Sequence, residues 1–133
     1  MVHVIAYLTA LLVFGILDAM WLWTMSGRLY RPILGDILLS DLRMAPALVF
    51  YFLYPIGLTF FAIAPALKSG NGLTAALYAA FFAVIAYGTY DLTNYATLRN
   101  WNLEITIIDL VYGATVSAIS AFVGFVVAAR ALS

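Results

Sequence analysis

The 133-residue sequence has no cysteine, one histidine (His3) and few charges, since Asp, Glu, Lys and Arg make up only 9% of it. These absences exclude disulfides, thiolate chemistry, zinc and iron–sulfur sites and bis-histidine haem. Six basic residues balance six acidic ones and are scattered along the chain, so the basic patch that nucleic-acid binding requires is missing. We therefore expect no metal, no cofactor and no nucleic-acid partner.

Apolar residues are abundant instead, at 66% of the chain, with a mean hydropathy of +1.07. This composition excludes a water-soluble domain and indicates an integral membrane protein whose first partners are membrane lipids. A helix that crosses the hydrocarbon needs about 20 mostly apolar residues. The sequence predicts an all-α protein with four transmembrane helices in an up-down bundle. They form a single domain over residues 1–133, with spans at about 4–25, 45–67, 73–95 and 105–129.

The connections between the spans differ in character. A short turn-forming run, 68–72, joins the second and third spans and predicts an antiparallel hairpin. Residues 31–43 carry apolar side chains at helical spacing, which predicts an amphipathic interfacial helix with Pro32 in its first turn. Its polar face is not rich in Lys or Arg, which favours a lid or a packing element over an anchor for anionic lipids. The first span lacks the basic region and cleavage site of a signal peptide, so we expect it to be retained.

Three aspartates, Asp18, Asp91 and Asp109, fall at the same end of an up-down bundle. A carboxylate at the centre of a membrane span costs roughly 2.5–3.5 kcal/mol on insertion scales, so these side chains should face protein or water and find partners. Arginines near the span ends are the expected cations, with tyrosine hydroxyls as neutral donors. The opposite half of the bundle is almost entirely apolar.

The polar residues at that end share helix faces with the aspartates, as expected for one pocket between the first, third and fourth spans. The predicted ligand-binding residues are Asp18, Trp21, Tyr30, Arg31, Tyr90, Asp91, Asn94, Tyr95, Arg99, Asp109 and Tyr112. The alternative is structural: Trp and Tyr often form interfacial belts, and a shallow carboxylate can belong to an ion pair that fixes helix register. Asn102 is the expected N-cap of the fourth span.

Small residues recur at every fourth position of the fourth span, at Gly113, Ser117 and Ala121. Such a stripe allows close helix approach. It predicts either packing within the chain or a homodimer formed through these three residues.

Basic residues near the span ends predict the orientation. The side that holds the first and third connections carries four of them, and the other side, with both termini, carries two: Lys68 and Arg130. By the positive-inside rule this bias puts both termini outside.

Four strings in the sequence resemble a bacterial family of predicted membrane proteins known as domain of unknown function 2177. The most distinctive string is YGTYDLTNYATLRNW at 87–101; the others are LDAMWL at 17–22, GRLYR at 27–31 and YPIGL at 54–58. The resemblance covers nearly the whole chain. It implies a compact four-span membrane protein in the bacterial cytoplasmic membrane and no particular activity.

Three functions are compatible with the residues. The first is a binding or transport module whose carboxylates accept a cation, a proton or a polar amphiphile. The second is a membrane enzyme that modifies a lipid or isoprenoid, with Asp18 and Asp109 as acid and base and Arg31 or Arg99 holding the headgroup. The third is a structural or accessory subunit without a ligand. Catalytic residues cannot be assigned from the sequence.

Overall fold

The structure is a computed structural model that describes residues 1–39 and 43–132. All regular structure in these ranges is helical. Four helices are long and apolar enough to cross a membrane: α1, Val2–Leu34; α2, Met44–Ser69; α3, Gly72–Thr97; and α4, Leu103–Leu132. An all-helical membrane protein with four spans is thereby confirmed.

The end of α1 differs from the prediction. The helix does not stop near Met25 but continues through a π-helical segment, Ser26–Tyr30, and a last α-helical turn, Arg31–Leu34. The Arg31 N–H donates to the Ser26 carbonyl, the i→i+5 bond of a π-helix. Residues 35–37 form turns rather than a helix, so the predicted interfacial helix over 31–43 is not confirmed as a separate element in the described residues. Of that range, only 40–42 lie outside them.

The sequence allows the helix to continue past Met25 as far as Leu34. Gly27 is the only weak helix former between Met25 and Arg31, and a single glycine is tolerated within a helix. Pro32 lies in the first turn of the final α-helical segment, where its missing N–H is least costly. The sequence therefore lets the transmembrane helix extend beyond its apolar run.

The connection between α2 and α3 consists of Gly70 and Asn71. Gly70 adopts a left-handed conformation with φ 72°, which glycine enters without a Cβ penalty and which commonly ends helices. The Asn71 side chain accepts from the Leu73 N–H at 2.9 Å and caps α3. This two-residue connection makes α2 and α3 an antiparallel hairpin.

Most of the core lies away from the polar residues and is built from small side chains. Ala6 and Ala10 of α1 face Gly124 of α4, where an added Cβ would lie 3.2 Å from the Ala6 carbonyl oxygen and 2.9 Å from Ile63 of α2. Close approach of this kind supplies the van der Waals contact on which helix association in lipid depends. The start of α1 contacts the end of α4 here, through Ala6 and Gly124, and Asp18 bonds to Tyr112 nearer the start of α4. The two helices are therefore antiparallel.

The small-residue stripe of α4 packs within the chain. Gly113, Ser117 and Ala121 are buried, and an added Cβ at Gly113 would lie 2.6 Å from the Tyr87 ring of α3. Ser117 shares a hydrogen bond with Tyr54 of α2 at 2.8 Å. Internal packing accounts for all three positions, while the homodimer stays a prediction.

A second, smaller cluster fixes the extended end of α1. Leu29 and Leu34 are buried together with Trp101 and Ile105. Trp101 precedes α4, and its indole N–H donates to the Thr106 hydroxyl at 3.0 Å. Asn102 accepts from the Ile105 N–H at 3.0 Å, so the predicted N-cap is confirmed. The extension of α1 therefore packs against the start of α4, and the polar residues lie beside this contact.

Candidate functional site

Asp18 is the meeting point of three helices. Its side chain on α1 is buried, and its Oδ1 accepts from the Tyr112 hydroxyl of α4 at 2.5 Å. Its Oδ2 accepts from the Tyr51 hydroxyl of α2. Asp18 therefore ties α1, α2 and α4 together at one level of the protein.

A second chain of hydrogen bonds starts at Trp21, one turn beyond Asp18. The indole N–H of Trp21 donates to the Tyr30 hydroxyl at 3.0 Å, and Tyr30 donates to Oδ1 of Asp109 at 2.7 Å. Nine residues are roughly two and a half turns of an ideal α-helix, which would put Trp21 and Tyr30 on opposite faces. The π-helical segment between them fits an extra residue into its turn and rotates Tyr30 toward Asp109.

The two hydrogen-bonded groups are joined by a ring contact. Trp21 stacks on Tyr112 with ring centroids 4.0 Å apart and an interplanar angle of 14°. Stacked aromatic pairs contribute about 0.5–1.5 kcal/mol beyond the area they bury. Asp18, Tyr112, Trp21, Tyr30 and Asp109 therefore form one continuous network, which we call the aspartate–tyrosine network.

Asp91 of α3 stands apart from this network. It is fully buried, with an exposed fraction of 0%, and neither carboxyl oxygen has a hydrogen-bond donor among the residues that the structure describes. Its polar neighbour is the carboxyl group of Asp109 of α4. Two acidic side chains from α3 and α4 thus face each other behind the network.

A cavity of about 530 Å³ opens beside the network. Its walls combine acidic, aromatic and apolar side chains, and they come from α1, the turn that follows it, α3 and α4. The lining residues are Asp18, Trp21, Leu22, Ser26, Tyr30, Arg31, Leu34, Gly35, Leu38, Leu39, Tyr90, Asp109 and Tyr112. The volume falls in the range of small-molecule sites.

The structure divides the predicted ligand-binding residues into two groups. Those that line the cavity are Asp18, Trp21, Tyr30, Arg31, Tyr90, Asp109 and Tyr112. The others are Asp91, buried behind the cavity, and Asn94, Tyr95 and Arg99, which are not among the lining residues. Binding itself stays a prediction for all of them.

The donors to the carboxylates are tyrosine hydroxyls, although the sequence pointed first to arginines. Arg28 and Arg99 are exposed. Tyr51 was missed by sequence reasoning because it lies in the uncharged second span, outside the cluster of polar residues. The signal was present: Tyr51 and Tyr54 share a helix face and are polar-tipped residues on an otherwise apolar span. A tyrosine hydroxyl that is buried needs a hydrogen-bond partner.

The three aspartates do not form a metal site in the described ranges, where no group of three His, Cys, Asp or Glu side chains is suitably arranged. Asp18 is engaged by its two tyrosines, and only Asp91 and Asp109 face each other. The chemistry that the site offers is that of hydrogen-bonded carboxyl groups beside aromatic rings.

A larger groove of about 730 Å³ lies toward the other end, between the start of α1 and the end of α2. Its walls are mostly apolar, including Val4, Ile56 and Phe60, and its charged or titratable residues include His3 and Lys68. Among the described residues, it has no acidic lining side chain and shares no lining residue with the smaller cavity.

The family model described as predicted membrane protein (DUF2177) matches residues 3–126, so the resemblance seen in the sequence is confirmed. No curated protein and no solved structure matches the chain. The matched range contains the aspartate–tyrosine network, Asp91 and every residue that lines the smaller cavity.

Proposed function

The chain belongs to the DUF2177 family of predicted membrane proteins, and from its cavity we propose that it binds an amphiphile with an ammonium headgroup. The observation that carries this proposal is the combination of two carboxyl groups and an aromatic wall in one cavity of about 530 Å³. Carboxylates attract an ammonium group by charge, and aromatic faces attract it by their quadrupole.

The headgroup position follows from which carboxyl oxygens are already occupied. Both oxygens of Asp18 accept tyrosine hydroxyls. Asp109 accepts from Tyr30 through Oδ1, and its second oxygen is the stronger candidate for a ligand. The Trp21–Tyr112 stack stands in the same cavity. An ammonium group therefore binds at Asp109 with the stack beside it.

The remaining walls suit an apolar chain. Leu22, Leu34, Leu38 and Leu39 line the cavity, and Leu22, Leu38 and Leu39 are exposed, so the apolar wall is continuous with the surface that faces lipid. Arg31 is an exposed lining residue and accepts an anionic group where the headgroup also carries one. A lipid-like molecule can contact the acidic and aromatic wall through its ammonium group, the leucines through its chain and Arg31 through an anionic group.

Catalysis is a weaker proposal for this site. An acid–base pair needs carboxyl oxygens that can exchange protons with a substrate. The oxygens of Asp18 are held by Tyr51 and Tyr112, which suits a structural role. No observation favours the enzyme over the binding protein.

Titration calorimetry in a non-ionic detergent tests the proposal. The probes are a long-chain alkylamine and, for comparison, an alkanol and an alkyl sulfate of the same chain length. We expect the amine to bind and Asp109→Asn to weaken it roughly tenfold or more, because a charge-assisted hydrogen bond is lost. Equal binding of amine and alkanol, or no binding of either, would overturn the proposal.

Glu104→Gln is the matched control. Glu104 lies near the start of α4 like Asp109, but it is exposed and outside the cavity lining. The two variants have the same net charge, so non-specific attraction of a cation to the protein is equal in both. An equal loss of amine binding in both variants would show that only overall charge matters.

We also propose that the protein lies in the bacterial cytoplasmic membrane with both termini outside and the cavity on the cytoplasmic side. The end that contains the cavity carries more arginines than the other, as the positive-inside rule requires of a cytoplasmic face; they are Arg28, Arg31, Arg43 and Arg99. Fusions to the C-terminus test this orientation. Active alkaline phosphatase with dark green fluorescent protein supports it, and the reverse pattern overturns it.

A further inference from the structure

Asp91 is the least satisfied polar side chain described in the protein. It is fully buried, and both carboxyl oxygens have no donor among the described residues. An ionised carboxylate without partners in an apolar interior is very costly, and a group in that position takes a proton instead. The packing therefore requires an additional positive charge or proton at this point.

The neighbour of Asp91 shows where that proton lies. Its carboxyl group adjoins that of Asp109, and two ionised carboxylates are both acceptors and cannot bond to each other. One proton between them converts two acceptors into a donor and an acceptor. Paired carboxyl groups that share a site hold a single proton for this reason.

Among the described residues, the other titratable groups that interact with the pair are tyrosines. Tyr30 from α1 donates to Asp109. Tyr87 and Tyr90 of α3 are also near the pair, and a phenol is uncharged at neutral pH. The α1 and α3 groups beside the pair are thus uncharged phenols, of which Tyr30 donates to Asp109.

We infer that Asp91 and Asp109 share one proton, and that an ammonium headgroup entering the cavity displaces it. The second part of this inference, the displacement of the proton by an ammonium headgroup, rests on the proposed function. On binding, the O–H bond of the acidic partner breaks, both carboxyl groups become ionised, and the ammonium N–H groups donate to both carboxylates in place of the proton. The proton leaves through the cavity to the solvent. Binding of one cation is therefore coupled to release of one proton.

Infrared spectroscopy tests the shared proton without any ligand. Wild type at neutral pH should show the C=O stretch of a protonated carboxylic acid, and Asp91→Asn and Asp109→Asn should each lack it. The Asp91→Asn variant should fold, because the new amide group can donate to Asp109. Glu104→Gln removes an exposed carboxyl group and should keep the band. Absence of the band in wild type, or its persistence in both Asn variants, would overturn the inference.

A monovalent metal ion between the carboxylates is the competing occupant. It would leave wild type without the acid band and make its thermal stability rise with added sodium chloride but not with choline chloride. That result would overturn the shared proton.

Calorimetry with the alkylamine tests the coupling. Repeating the titration in buffers of different ionisation enthalpy should show release of about one proton per amine bound. The amine affinity should rise by up to about tenfold per pH unit while the pair is protonated, because proton and cation compete for one site. Amine binding without proton release would overturn the coupling. Failure of the amine to bind at all would overturn the proposed function, and the infrared band would still decide on the proton.

Discussion

The two ends of the protein are held together by different interactions. At one end, small residues such as Ala6, Ala10 and Gly124 bring helix backbones into contact. At the other end, Tyr51 and Tyr112 hold Asp18 by hydrogen bonds between helices. Lipid tails are as apolar as the helices, so packing and hydrogen bonds are the means of association in a membrane. In this protein small-residue packing predominates at the first end and hydrogen bonds to the aspartates at the second.

The difference carries over to the openings in the surface. The larger groove, of about 730 Å³, has mostly apolar walls. The smaller cavity, of about 530 Å³, is lined by carboxyl groups, hydroxyls and an indole. Convergent polar groups, and not size, distinguish a specific site. Packing through small residues leaves few polar groups that could bind a ligand. Polar side chains that join helices can form a binding site between them.

The largest effect should follow from removing the centre of the polar end. Asp18→Ala leaves the hydroxyls of Tyr51 and Tyr112 without their acceptor, and we expect a loss of about 2–4 kcal/mol in the free energy of unfolding. Unfolding by sodium dodecyl sulfate in mixed micelles measures it. Asp36→Ala, at an exposed position, should change stability by less than about 0.5 kcal/mol. Similar losses in the two variants would mean that hydrogen bonds do not hold this end.

A second pair of variants compares close helix approach in the two regions. A Cβ at Gly113 would lie 2.6 Å from the Tyr87 ring, a part of that side chain that cannot bend away. Gly113→Ala should cost about 1–2 kcal/mol by overpacking. At Gly124 the nearest atom is the end of the Ile63 side chain at 2.9 Å. That end can move, but the Ala6 carbonyl oxygen at 3.2 Å must also give way, so Gly124→Ala should cost less than Gly113→Ala in the same unfolding assay without being neutral. The opposite order would contradict the contacts described.

Tyr30→Phe should have a smaller effect. The change removes the acceptor of Trp21 and the donor to Asp109, and we expect a loss of about 1 kcal/mol together with an altered tryptophan emission. Tyr7→Phe is the counterpart at the groove, where the Tyr7 hydroxyl donates to the Phe52 carbonyl at 2.9 Å in an exposed bond. It should cost less and leave the emission unchanged. Identical effects on both readouts would remove the distinction between the two regions.

The smallest effects should come from the helix caps, one at each end. Asn71 caps α3 and Asn102 caps α4, through bonds of 2.9 Å and 3.0 Å. Because capping is local, Asn71→Ala and Asn102→Ala should each lose about 0.5–1 kcal/mol in the unfolding assay. A much larger loss for Asn102→Ala would show that its cap is part of the polar network, which would extend that region toward α4's first turn.

Much of the fold follows directly from hydropathy. The four apolar runs correspond to four helices, and the short glycine-containing turn closes the α2–α3 hairpin. The gathering of Asp18, Asp91 and Asp109 at one end follows from the alternation of helix direction, because each lies near the same surface. The length of a span and the position of a residue along its axis follow directly from the order of residues, so both can be predicted from the sequence.

The pairing of side chains could not be predicted in the same way. Trp21 and Tyr30 meet only because a π-helical segment changes the rotation between them, and no residue in Ser26–Tyr30 specifies such a segment. Tyr51 reaches Asp18 from a span without charges. Arginines were expected as partners because charge is visible in a sequence. A tyrosine hydroxyl is equally able to donate, but it is hard to tell from an interfacial anchor.

The bonds around Asp18 have a consequence for biosynthesis. Tyr112 follows Asp18 by 94 residues, so the ribosome delivers α1 to the membrane long before α4 exists. Until the last helix is inserted, the Asp18 carboxylate has at most the Tyr51 hydroxyl from α2. A nascent chain that stalls before α4 therefore holds an acid in its first span that lacks one of its two tyrosine donors.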